Sequence, residues 1–356
     1  MSGIVLEKKN NSFGISCVEY QNKVYEIGFS IPSAKVRIDY SGICGSDIHA
    51  IHMGESCNAS KFPRILGHEA CGTILKIFEG EHDASVPFKE GVTVVINPII
   101  SCGKCEECKA GKTNLCLNRK LLGFDLDGLM QENVIIPIDN LIILPSSVEK
   151  ILGALTEPLG VAVHSVMIAK DFGLKSGQNI LLFGAGKISL FISLVLKKLY
   201  KPIDITIIGL DKDAEVRFPI LQENGIHTYT FDQVFMENGE IKNSKYTERK
   251  FPIVFEVSGS ESGMKGALNS VKNGGVIIAV GLAESDVKID TSILVRRELK
   301  LVGSDGYVKE DLENAISLLS EGIVSKEWVS IFDPRKCIDA FLNYENSKAM
   351  AILFKF

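Results

Sequence analysis

The chain of 356 residues has a single tryptophan, no block of basic residues and no long apolar run. Its longest apolar stretches, such as Ile188 to Leu196, stop well short of the roughly 20 residues needed to cross a bilayer. Lys and Arg number 39 against 44 Asp and Glu, a formal charge of −5. With that mildly acidic balance, neither nucleic acid nor an anionic membrane surface is an expected partner. No N-terminal stretch joins a basic region, an apolar core and a small-residue cleavage site. The expected setting is therefore cytoplasmic, where thiols stay reduced and disulfides are rare.

What is present is an ordinary globular mixture, 46% hydrophobic and 23% charged, which excludes wholesale disorder. The length is two domains' worth at roughly 100–200 residues per domain. With 32 glycines and 11 prolines, turns and strands are expected rather than a helical bundle. The most informative count is nine cysteines. In a reducing compartment, clustered cysteines point to metal rather than to bridges.

Residues 1–150 read as short β segments between turns. Val36–Tyr40, Gly72–Ile77 and Val92–Ile96 suggest a barrel-like unit. From about residue 156 the period changes. A helix over Glu157–Ala169 precedes an apolar strand, Asn179–Phe183, a glycine turn and an apolar helix, Ile188–Leu199. Strands follow at Ile203–Leu210, Ile253–Val257 and Gly275–Val280, separated by helical stretches. Such alternation implies a parallel, doubly wound sheet. Past residue 300 come one helix, Lys309–Glu321, and a short strand, Ala349–Phe354, too little for a domain.

Four thiols, Cys102, Cys105, Cys108 and Cys116, fall within one short loop. Two-residue gaps followed by a longer return suit a tetrahedral four-thiolate zinc with no open position, a structural site. Lys104, Lys109 and Lys112 offset part of the charge. An iron–sulfur cluster is the main competitor. The absence of a second cysteine-rich half, and of proline after the last cysteine, counts against it. A second group is of another kind. Cys44-Gly-Ser46-Asp47-Ile-His49, Gly67-His68-Glu69 and Glu157-Pro158-Leu159 supply Cys44, His68, Glu69 and Glu157. A thiolate, an imidazole and a carboxylate are the ligands of a zinc that keeps one position open.

With these motifs in this order, the sequence resembles the zinc-containing medium-chain dehydrogenases, most closely the polyol (sorbitol, galactitol phosphate) and threonine dehydrogenase branch. The likeness runs over nearly the whole chain. It implies a GroES-like catalytic domain from residues 1–155, completed by 301–356, with an inserted Rossmann domain over 156–300. It implies two zinc ions per chain, one bound by Cys44 and His68, with the carboxylate role shared between Glu69 and Glu157. It further implies a proton relay from substrate through Ser46 to His49, and Asp47 orienting His68. Homodimers or homotetramers are expected by the same likeness.

Strand Ile180–Phe183 runs into Gly184-Ala-Gly186-Lys187-Ile188-Ser189 and then a helix. These are the strand, the glycine turn and the helix N-terminus that a dinucleotide pyrophosphate requires. Ser189 stands where a third glycine is usual, and Lys187 could add a charge contact to the pyrophosphate. Asp211 ends the next strand and can accept hydrogen bonds from a ribose 2′-hydroxyl, favouring NAD over NADP. Lys212 and Arg217 nearby could instead tolerate a 2′-phosphate, and Pro219 interrupts the helix expected there. By resemblance, Gly281 and Leu282 lie near the nicotinamide.

The implied activity is hydride transfer between NAD and a secondary alcohol of a polyol, sugar alcohol or sugar-alcohol phosphate. Alternatives are a threonine-type amino-alcohol, a cyclitol or an amino-sugar substrate. The segment from Arg296 to Ser304 is more similar to polyol phosphate members. A catalytically inactive cofactor-binding protein is the competing class, and the presence of Cys44, His68 and Ser46 argues against it. Ile51, Leu122, Phe124 and Tyr307 are candidate pocket residues. Cys17, Cys57, Cys71 and Cys337 have no metal role.

Overall fold

Two sequence periods produce two kinds of sheet. In the computed structural model, residues 2–9, 12–19, 32–53, 62–78, 88–236, 241–242, 251–283 and 285–356 are described; Cys57 lies outside them. Strand Ser33–Gly42 follows an in-and-out pattern, with Val36 and Ile38 buried and Arg37 exposed. Such alternation fits a sheet with one face toward a core. It pairs antiparallel with Glu69–Phe78, Asn133–Pro137 and Ala351–Lys355. With Thr93–Ile96, Leu141–Ile143 and Val329–Phe332 these strands make a seven-stranded sheet. Ala34, Val36, Ile38, Ile74, Val94, Ile96 and Ile136 fill its core. The terminal strand therefore joins the sheet formed by the first third of the chain.

In the second sheet the central strands are apolar almost throughout, as in Asn179–Phe183 and Asp204–Gly209. That is the pattern of parallel strands covered on both faces. The six strands of this sheet run in the order His227–Thr230, Asp204–Gly209, Asn179–Phe183, Phe251–Glu256, Val271–Ala279, Lys300–Gly303. All five pairings are parallel. Numbered along the chain this is 3-2-1-4-5-6, the doubly wound dinucleotide order. Pro219 does not interrupt the following helix. Helix Arg217–Glu223 begins two residues earlier, so the proline occupies the first turn, where an N–H has no intrahelical partner.

One compact unit comprises Met1–Gly160, Tyr307–Glu345 and Ala351–Phe356, and the other Val161–Gly306 and Asn346–Met350. Among the described residues, no helix is long and apolar enough to cross a membrane.

Candidate active site and metal centres

The open metal group is built where strand Ser33–Gly42 meets strand Glu69–Phe78. Their register places Gly42 directly opposite Glu69. A Cβ on Gly42 would fall on Glu69 Oε2 and lie 3.1 Å from Leu353 Cδ2, so only glycine leaves room for the carboxylate. The ladder shifts register at Asp39, between Ile38 and Tyr40. Such irregularities re-aim side chains beside functional sites. Gly67 turns the chain into His68 at a φ of 92°, and a Cβ there would meet Met130. Ser41 Oγ donates to the Glu69 carbonyl at 3.0 Å. Two strand ends and one glycine turn thus fix His68 and Glu69.

Cys44 precedes helix Gly45–Met53. Its N–H donates to Asp47 Oδ2 at 2.9 Å, a short-range bond that holds the thiol at the helix start. Donor atoms of Cys44, His68 and Glu69 converge within 4.8 Å of one another. His68 and Glu69 are buried and Cys44 is half-buried. Glu157, in the first turn of helix Thr156–Asp171, is buried but stands outside that converging group. Burial disfavours a charged His68, yet Cys44, Asp47 and Glu157 outweigh it and hold the imidazole well above its usual value. So much negative charge around one buried ring is what a divalent cation neutralises. Asp47 does not hydrogen-bond the ring, because Oδ1 lies 3.8 Å from His68 Nδ1, beyond hydrogen-bond range. Both atoms are buried without a hydrogen-bond partner. A converging thiol, imidazole and carboxylate fit zinc with a position to spare. Ser46 and His49, three residues apart on the same helix, are half-buried. The ring of His68 lies 5.6 Å from that of Phe124, while Leu122 and Tyr307 are buried and Ile51 half-buried.

The four-cysteine loop gathers Cys102, Cys105, Cys108 and Cys116, again within 4.8 Å. The Cys102 N–H donates to Cys116 Sγ at 3.4 Å. Backbone N–H groups of Lys104 and Cys105 bring the Cys102 thiol down to about 6. Cys105 shifts the other way, up to about 12: a backbone bond from Cys108 lowers it, but burial and hydrogen bonds with Cys108, Glu107 and Cys102 outweigh that bond. It is the convergence of the four sulfurs that suits a closed metal site. Burial pushes the Cys71 thiol above its usual value. Cys17 and Cys337 are also raised, chiefly by burial. None of these three belongs to either group.

In the second unit, strand Asn179–Phe183 ends at Gly184, whose φ is 99°, a value only glycine adopts without strain. A Cβ there would press on Ser258 N. Gly186 caps helix Lys187–Leu199, and a Cβ on it would meet nothing within 4 Å. A helix N-terminus approached so openly suits an anionic group such as a pyrophosphate. Ser189 is fully buried, so its small side chain substitutes for glycine in packing. Ile188 is half-buried and Lys187 only 3% exposed. Asp211 stands exposed after strand Asp204–Gly209. Arg217, a candidate cofactor contact, already has protein partners. Its guanidinium donates to Asp213 Oδ1 at 3.0 Å and to the Ala349 carbonyl at 3.1 Å, which ties two of its nitrogens to the fold. Gly281 has a packing reason too, since a Cβ would collide with Gly259 N, while Leu282 is exposed.

Glu256 is a buried acid outside the candidate residues named from the sequence. It ends strand Phe251–Glu256 and accepts hydrogen bonds from the N–H groups of Ser258 and Gly259. Burial raises its pKa against those bonds. A lone carboxylate closing an apolar run before Ser-Gly was the available signal.

Comparison with known proteins agrees with this construction. Residues 32–146 match the alcohol dehydrogenase GroES-like domain and residues 193–321 the zinc-binding dehydrogenase domain. The chain is 30% identical over 296 residues to a probable D-xylulose reductase A of Aspergillus niger, covering 82% of this chain and 79% of that protein. It is 29% identical over 319 residues to a 2-dehydro-3-deoxy-L-galactonate 5-dehydrogenase of Pseudoalteromonas atlantica, covering 88% and 89%. An alcohol dehydrogenase from E. coli CFT073, solved with NADH, superposes with a TM-score of 0.81 at 25% identity, covering 100% and 99%.

Proposed function

Because the chain belongs to the zinc-binding alcohol dehydrogenase family, and is with it a zinc- and NAD(P)-dependent dehydrogenase of alcohols and polyols, we propose that it moves hydride between NAD and a secondary hydroxyl of a polyol, sugar alcohol or sugar-alcohol phosphate. The convergence of Cys44, His68 and Glu69 carries this reading. These three would hold the catalytic zinc, with Glu157 as the additional carboxylate. Zinc there supplies Lewis acidity that lowers the pKa of a substrate hydroxyl. Cys102, Cys105, Cys108 and Cys116 would hold the structural zinc.

The chain's own groups do the rest. Ser46 accepts the substrate proton and His49 passes it toward solvent, a relay supported by their places on one helix three residues apart. Residues 1–155 with 301–356 act as the catalytic domain and 156–300 as the nucleotide domain. Gly184, Gly186, Lys187, Ile188 and Ser189 receive the pyrophosphate at the helix start, and Gly281 and Leu282 border the nicotinamide. Asp211, exposed at the strand end, favours the 2′-hydroxyl of NAD. Free thiols at all eight described cysteines suit a cytoplasmic setting. A homodimer or homotetramer is supported by the open sheet edge at Lys300–Gly303, where Leu301 is exposed. The relatives that reduce or oxidise sugars support the polyol class.

A screen of NADH formation against polyols, their phosphates, threonine and cyclitols, with zinc counted per chain, tests the proposal. Turnover of a polyol with two zinc ions bound is expected. Absence of turnover on every alcohol, with a single zinc, would favour the inactive cofactor-binding protein.

A further inference from the structure

Tyr307 is among the largest fully buried side chains of the molecule, and it lies in the same unit as the open metal group. Its ring packs on helix Thr156–Asp171, with Cγ 3.5 Å from where a Cβ on Gly160 would stand. Gly160 is one turn beyond Glu157, so both lie on one face of that helix. Glu157 is accordingly a neighbour of the Tyr307 side chain. The Tyr307 hydroxyl is buried and makes no hydrogen bond of good geometry. A buried phenol O–H without a settled acceptor therefore stands beside a buried carboxylate.

We propose that Tyr307 is a positioning residue for the open metal site: its hydroxyl donates to Glu157 and keeps that carboxylate out of the Cys44–His68–Glu69 group, so that three donors hold the ion and one position stays open. The inference rests on the metal reading above and assigns the two carboxylates different duties. Glu69 binds, and Glu157 is held in reserve. Without the phenol, the buried Glu157 loses a donor and gains reason to turn onto the cation.

The test uses the full-length protein with zinc, and with cobalt(II) exchanged into the open site. In Tyr307→Phe, zinc at the open site should be held more tightly by about tenfold in chelator competition, the scale on which outer partners act. The visible cobalt bands should weaken as the coordination number rises, and kcat should fall more than KM changes. Tyr307→Phe/Glu157→Gln should return the bands and affinity toward wild type. Zinc retained at the four-cysteine loop reports that the variants are folded. Unchanged or weaker zinc binding in Tyr307→Phe overturns the proposal, as does a double variant that keeps the full shift. A wild-type protein that binds only one zinc overturns the metal assignment itself, before any variant is made.

Discussion

Replacing Gly42 with alanine should separate the fold from the chemistry. Gly42 faces Glu69 across an antiparallel pair, and the added methyl would land on Glu69 Oε2, with Glu69 Cβ only 3.2 Å away and Leu353 Cδ2 at 3.1 Å. The carboxylate end is flexible, so it yields before the strands do and must retreat by the better part of an ångström. Because the worst contact is with a flexible chain end and the two carbon contacts need give only slightly, the stability loss falls in the lower part of the roughly 1–3 kcal/mol that overpacking costs. Catalysis is less forgiving, because a misplacement of about 1 Å costs on the order of a hundredfold. Gly42→Ala should therefore fold and keep the four-cysteine zinc. It should lose much of its open-site affinity and about two orders of magnitude in kcat/KM. Thermal unfolding, zinc counting and steady-state NADH formation give the three readouts. Full activity with two zinc ions in a folded Gly42→Ala protein would refute the assignment of Glu69 as a ligand.

Other perturbations read other parts of the structure. Cys108→Ser should release one zinc and lower the melting temperature while the second zinc remains, measured by metal analysis beside calorimetry. Asp211→Ser should raise the NADP-to-NAD efficiency ratio at least about tenfold, whereas Arg217→Ala should lower stability and leave that ratio alone; comparing both variants on both cofactors checks this. The Asp39 carboxylate, at the register shift, accepts from Lys150 Nζ at 2.8 Å and Thr73 Oγ1 at 2.6 Å. Burial raises its pKa, but these bonds and that of Arg37 outweigh it and leave it lowered. A depressed carboxylate contributes stability above its unfolded pKa and loses it as pH falls through the folded value. Lys150→Met should therefore cost roughly 1–2 kcal/mol at neutral pH, and the difference from wild type should shrink on acidification below pH about 4. Denaturant titrations at both pH values decide it.

Much of the architecture was legible because it is written in local periods. Apolar runs in Asn179–Phe183 and Asp204–Gly209 signal covered parallel strands, and alternation around Val36–Tyr40 signals a half-covered sheet. Cysteine spacing is likewise local, so the loop from Cys102 to Cys116 could be read as one site. Helix starts were less legible. Pro219 looked like a breaker, because nothing local shows that the helix begins at Arg217 and places the proline in its first turn. Arg217 reads in sequence as a candidate cofactor contact. Its partners Asp213 and Ala349 bring together residues from distant parts of the chain, and no short-range pattern announces that.

The same distinction explains why candidate ligands are legible in the sequence and their arrangement is not. Cys44, His68 and Glu69 each sit in a short motif, and their residue types name the chemistry. Which carboxylate meets the cation depends on a register that pairs Gly42 with Glu69, and on a tyrosine 150 positions beyond Glu157. Gly42 is an integral strand residue whose missing side chain makes the space for the Glu69 carboxylate. Tyr307 reads in sequence as a candidate pocket residue; in the fold its ring packs beside Gly160 and its hydroxyl is buried. Residue type fixes which groups can bind the metal, whereas tertiary pairing fixes which of them do. Gly42→Ala and Tyr307→Phe separate these two levels, because both leave every candidate ligand in the sequence and alter only where the carboxylates stand.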